Sequence, residues 1–110
     1  MWLFMREGFL SIKQDNDSKD ILIVRSRFEG DIEKLIGVKP FMPVESDYPL
    51  HAHVDRDVVV KAIVDQVKNI DYPSFKSSIS DPRRIRRYVQ VWAVMDHLQQ
   101  DLEAKTMVRQ

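Results

Sequence analysis

The sequence predicts an α+β fold: a small antiparallel sheet of three to four strands, covered on one face by helices, with a long C-terminal helix. Three observations predict it. Residues 1–28 carry two apolar, partly alternating runs on either side of a polar tract, Asp15-Asn16-Asp17-Ser18-Lys19-Asp20, which is the pattern of a β-hairpin. Residues 47–54 alternate again. Three further segments, 29–36, 56–69 and 82–104, repeat their apolar residues at helical spacing.

The elements follow in chain order. Residues 2–5 and 8–14 read as one kinked strand or two short ones, because Gly8 inside the run signals a bulge, a tight turn or a close backbone approach. In the second piece Leu10 and Ile12 share one face, while Phe9, Ser11 and Lys13 share the other. The partner strand, 20–27, sets Leu22, Val24 and Ser26 against Ile21, Ile23, Arg25 and Arg27. The charges mark the outer face, which assigns Leu10, Ile12, Leu22 and Val24 to the core.

Over 29–36 the period lengthens. Ile32, Leu35 and Ile36 form an apolar stripe, Asp31 and Glu33 suit a helix N-terminus, and Gly37 suits a stop. Gly30 inside this helix is expected to weaken it. Pro40 and Pro43 make 38–46 a connection. Tyr48, Leu50, Ala52 and Val54 then alternate with Pro49, His51 and His53 as a strand. Asp55 reads as the cap of helix 56–69, whose stripe is Val59, Val60, Ile63, Val64 and Val67. A short turn at 73–79 follows. Asp81 and Pro82 open the last helix, with Ile85, Tyr88, Val89, Trp92, Met95, Leu98 and Leu102 along one side and the chain end frayed. Strand, helix and strand from 20 to 54 predict a right-handed β-α-β crossover, with 47–54 beside 8–14 in a ferredoxin-like arrangement.

A chain of 110 residues is expected to form one domain, residues 1–110. With 44% hydrophobic and 31% charged residues it has globular composition rather than a disordered one. Absent cysteine excludes disulfides and thiolate chemistry, and is compatible with the cytoplasm. Lys+Arg and Asp+Glu both number 17, which argues against nucleic-acid binding by bulk charge. No apolar run reaches the roughly 20 residues of a membrane span, and Met1-Trp2-Leu3-Phe4-Met5 lacks the basic start of a secretory signal. A cytoplasmic protein with no membrane partner is the expectation.

Several stretches together resemble a family of small, uncharacterised bacterial proteins. They are Met1-Trp2 with Phe4, Gly8-Phe9-Leu10-Ser11, Val24-Arg25-Ser26-Arg27, Asp47-Tyr48-Pro49, Asp71-Tyr72-Pro73-Ser74-Phe75-Lys76 and Tyr88-Val89-Gln90-Val91-Trp92. The likeness runs to about Leu98; His51 departs from it, standing where that family often has Arg or Val. The resemblance implies a single soluble domain and no particular activity.

Four groups of side chains could carry function. His51 and His53 share a strand face at a spacing that can hold zinc, but further ligands are not evident, so no metal or cofactor is expected. Arg25 and Arg27 lie on the face of Phe9, Ser11 and Lys13, joined by His51 and His53. Such a face suits base stacking, or a covering subunit. Lys76 with Arg83, Arg86 and Arg87 forms the densest basic patch, placed where it opposes the helix dipole, so that acids from 15–20 or Asp71 are candidates to offset it. Tyr72, Phe75, Tyr88 and Trp92 read as core at a bend. No phosphate loop, nucleophile elbow or paired-carboxylate motif is present. The expectation is a non-enzymatic interaction module with a protein partner or a second copy of itself. A nucleic-acid-binding sheet and a His51/His53 hydrolase or nuclease are the alternatives.

Overall fold

The computed structural model describes the backbone of residues 1–109 and the side chains of residues 1–105. Contacts gather into two compact units, one spanning Met1–Asp71 and a second beginning at Tyr72. Each is taken by itself.

The first unit is built on a four-stranded antiparallel sheet in the order β1 (Trp2–Met5), β2 (Gly8–Gln14), β3 (Ile21–Ser26), β4 (Leu50–Asp55). The first apolar run is thus two strands, joined by Arg6 and Glu7 in a two-residue turn that pairs Met5 with Gly8. β2 and β3 pair across the polar tract as expected, with Ile12 opposite Val24 and Lys13 opposite Ile23. Local side-chain bonds shape that tract: Asp15 accepts the Asp17 N–H at 3.2 Å, and Ser18 accepts that of Asp20 at 3.2 Å. Arg56 clamps it from outside, donating to the Lys19 carbonyl and to Gln14 Oε1.

The expected crossover is not formed. β4 pairs antiparallel with β3, Val24 opposite Ala52, so the chain is a meander with a helix inserted in its last connection, and the ferredoxin-like order is absent. Adjacent strands in sequence have paired as neighbours, the commoner outcome, and the connection from 27 to 49 is long enough to turn back.

Alternation decides the faces. Leu10, Ile12, Leu22, Val24, Leu50, Ala52 and Val54 are all buried on one side of the sheet. Full burial of such an aliphatic side chain is worth about 1.5–3 kcal/mol. The covering layer is α1 (Asp31–Ile36), over β2 and β3, and α2 (Arg56–Lys68), over β3 and β4. Ile32, Leu35 and Val59 complete the core.

α1 is flanked by Gly30 at φ 95° and Gly37 at φ 84°. Gly30 therefore stands at the start of the helix in a left-handed conformation that glycine adopts without cost; it is not the interior defect expected. Gly37 ends the helix by donating to the Glu33 and Ile32 carbonyls at 3.0 and 3.2 Å. Asp55 occupies the cap position of α2, but its side chain makes no capping bond. Of the five residues expected in the α2 stripe, Val59 is buried and Ile63 half-buried, while Val60, Val64 and Val67 remain exposed. Val60 and Val64 each follow a packed position by one residue and so turn 100° away from the line of α2 that the sheet and α1 cover, and Val67 lies in the last turn of the helix.

The second unit holds a short helix, α3 (Phe75–Ser78), and the long α4 (Pro82–Arg109), which runs past the expected end at 104. The expected fraying reaches Gln110, which lies outside the described residues. Asp81 does cap α4, accepting the Arg83 N–H at 2.8 Å. Phe75 stacks on Tyr88, centroids 5.8 Å apart and planes 9° from parallel. Trp92, expected in the core, is 57% exposed, and Met95, Leu98 and Leu102 are exposed beside it. A four-residue α3 can cover no more than the first turns of a helix about 42 Å long. Among the described residues no helix is long and apolar enough to cross a membrane.

Candidate functional site

The face of the sheet opposite the helices brings four predicted residues into one field, exposed at its ends and closed at its centre, where Ser11 is fully buried and Arg25 and His51 are half-buried. Register sets Trp2 opposite Ser11, Ser11 opposite Arg25, and Arg25 opposite His51. Phe41 then pairs with His51 through a β-bridge, exchanging backbone hydrogen bonds of 2.8 and 2.9 Å. The result is a row, Trp2-Ser11-Arg25-His51-Phe41, with an aromatic ring at each end. At a strand spacing of about 4.8 Å it spans roughly 19 Å. A second row, Lys13-Ile23-His53, runs beside it. The sequence placed Ser11, Lys13, Ile23, Arg25, His51 and His53 on one face by way of a different strand order; period-two alternation puts them there in either order.

At the β1 end, Phe9 packs between Trp2 and Phe4, with centroids 6.4 Å and 4.7 Å away. Trp2 keeps 67% of its surface exposed. At the β4 end, Phe41 meets the rings of His51 and His53 edge-on, at 6.1 and 5.5 Å.

The centre of the row is anchored from within. Arg25 donates to Ser11 Oγ at 2.6 Å and lies 4.7 Å above the Tyr48 ring. Its Nε is buried without a hydrogen-bond partner. Arg27 lies 4.2 Å from the same Tyr48 ring and donates to the Asp47 carbonyl. Tyr48 is thus held by two guanidinium groups, a cation–π arrangement worth roughly 0.5–1 kcal/mol per contact at such sites.

His51 shares a 2.8 Å hydrogen bond between its Nε2 and Ser46 Oγ. Its pKa is lowered from the ordinary 6.5, first by burial and then by the positive charges of Arg25 and Lys13 and by His53. A serine hydroxyl beside a neutral imidazole is the beginning of a nucleophile–base pair. Ser46 Oγ, however, already accepts the Tyr48 N–H at 3.1 Å, as a turn serine does. Among the described residues no carboxylate hydrogen-bonds His51 to orient it, and no cluster of three or more His, Cys, Asp or Glu is placed to hold a metal ion.

The other predicted residues belong to the second unit. Lys76 Nζ lies 5.0 Å from the Trp92 ring centroid. Arg83 pairs with Asp81 at 3.6 Å and Arg87 donates to Gln90. Arg83, Arg86 and Arg87 are exposed. Asp71, a candidate to offset this patch, is engaged instead by Arg6 at 2.7 Å. Asp81, on the same helix end, offsets Arg83.

The site residues that the sequence did not single out are Trp2, Phe41, Ser46 and Tyr48. Phe41 sits between Pro40 and Pro43 in what reads as a linker, and a large aromatic between two prolines is the signal that would have found it. No family model, no curated protein and no solved structure matches the chain, so the functional reading rests on this geometry alone.

Proposed function

We propose that the protein is a non-enzymatic interaction module that receives an acidic segment of a partner protein on its open sheet face. One observation carries this reading: the row from Trp2 to Phe41 places a cation between two exposed aromatic residues. Lys13, Arg25 and Arg27 make the field around the row positive, and the one carboxylate among the outward strand positions from Phe9 to Asp55, Asp55 itself, stands at the far end of β4 opposite Ile21. Exposed aromatic anchors beside Arg are the residue types that dominate protein interfaces.

Lys+Arg and Asp+Glu both number 17, so the chain lacks the bulk positive charge that nucleic-acid binding draws on, and this favours a protein partner. The basic patch at Arg83, Arg86 and Arg87 is the rival surface on this chain.

The test is a partner captured from the native host, purified, and titrated against variants. Trp2→Ser with His53→Glu, both at exposed positions, is expected to weaken binding by at least about tenfold, the effect of losing one interface anchor. Reversing Arg83, Arg86 and Arg87 to Glu is expected to leave it unchanged. The opposite pattern moves the site to α4. Binding of a labelled single-stranded oligonucleotide that falls steeply with salt replaces the protein reading with a nucleic-acid one.

A further inference from the structure

Along α4, Tyr88, Val91, Met95, Leu98 and Leu102 follow one another at alternating intervals of three and four residues, which is the a/d seam of a coiled coil. Tyr88, stacked on Phe75, and Val91 are half-buried, while Met95, Leu98 and Leu102 are exposed. Trp92 and Val94 widen the seam on its two flanks. Trp92, Val94, Met95 and Leu98 are all exposed. Soluble proteins seldom leave such a contiguous apolar surface uncovered.

Charge along the helix says what fits there. Arg83, Arg84, Arg86 and Arg87 fill the first turns, while Asp96, Asp101 and Glu103 form an acidic stretch ahead of Lys105 and Arg109. Two copies of α4 side by side in parallel would set arginine against arginine. Antiparallel copies set the basic end of each against the acidic stretch of the other, and oppose the two helix dipoles as well. Arg87 and Asp101 stand seven residues to either side of Val94, on the same flank of the seam. With Val94 facing Val94 of the second copy, Arg87 of each faces Asp101 of the other. In the same register Met95 packs on the second copy's Val91, and Tyr88 on its Leu98.

We infer that α4 is a self-association surface, on which a second copy of this chain docks antiparallel about Val94. The seam covers about 21 Å of helix, two heptads, so the pairing is weak and concentration-dependent. It is separate from the sheet face proposed above, and the two ideas stand or fall independently.

Sedimentation of the full chain over a range of concentrations is the first test. A monomer–dimer equilibrium is expected, weakened at least about 30-fold by Met95→Glu, which buries a charge in the seam. At low salt Arg87→Glu is expected to weaken it several-fold, and Arg87→Glu with Asp101→Arg to restore it; both positions are exposed, so folding is not at risk. Because the chain has no cysteine, single thiols report the geometry. Val94→Cys is expected to cross-link with a short bis-maleimide. Leu98→Cys is not, since antiparallel copies hold those positions about 15 Å apart along the axis. A monomer up to about 0.5 mM overturns the inference, since that bounds the affinity at millimolar strength. So does a dimer abolished by Trp2→Ser rather than by Met95→Glu, or efficient cross-linking through Leu98→Cys.

Discussion

Asp31, the first residue of α1, accepts the backbone N–H of Phe9, the second residue of β2, through Oδ2 at 3.1 Å. Asp31 is 3% exposed. A buried acid thereby satisfies a backbone donor across the layer, and fixes α1 over the hairpin that carries the aromatic end of the site. Replacing Asp31 by Ala strands the Phe9 N–H in the interior. The expected cost is about 1–3 kcal/mol, the penalty for leaving a buried donor unsatisfied, read as a lower urea midpoint with an unchanged slope.

Gly8 is the reason that the carboxylate can come so close. A Cβ at this position would meet Leu35 Cδ1 at 2.6 Å and the Asp31 Cγ at 3.0 Å. Both neighbours are buried, so neither yields freely. Gly8→Ala is expected to destabilise the protein by about 1–3 kcal/mol, and Gly8→Val by more, in the same denaturation experiment.

His51 gives a pH dependence of known sign. Its folded pKa is below the ordinary 6.5, so between the two values the unfolded chain binds the extra proton. The stability it contributes is complete above 6.5 and is lost as pH falls through the lower, folded value. A histidine NMR titration is expected to place His51 below 6.5. In Arg25→Gln, which removes a neighbouring positive charge, the value is expected to move up towards 6.5. An unmoved titration would remove Arg25 from the causes.

Asp81 titrates below its ordinary 3.8, chiefly because the Arg83 backbone N–H binds the carboxylate. The capping contribution is present above the ordinary value and disappears as pH falls through the depressed one. Asp81→Ala is expected to fray the start of α4 at neutral pH, seen as a small loss of helical circular dichroism and faster amide exchange at Arg83 and Arg84.

What the sequence made legible follows from where alternation and helical spacing act alone. Leu10, Ile12, Leu22 and Val24 are core because charges at Lys13, Arg25 and Arg27 leave the chain no other choice of face. Asp81 and Gly37 announce helix ends by chemistry that needs no tertiary partner. Strand order was not legible, because the outward set of β4 is the same beside β2 or β3. The burial of α2 and α4 was not legible either. Val60 and Met95 sit at the spacing of buried residues, but spacing reports that a stripe exists and not whether the chain supplies something to cover it. Tyr48 between two arginines depends on a loop path with no periodic signal at all.

The bridge between Phe41 and His51 has one more consequence, for solubility. β4 is an outer strand, and a bare outer strand invites the same segment of another molecule to add on, then another, towards fibrous aggregates. Here both main-chain groups of His51 are already taken. Pro40 and Pro43 lack the donor that would let the stopper itself be copied onward. Unseating Phe41 would bare the donor and acceptor of His51 and reopen this edge to a neighbouring strand.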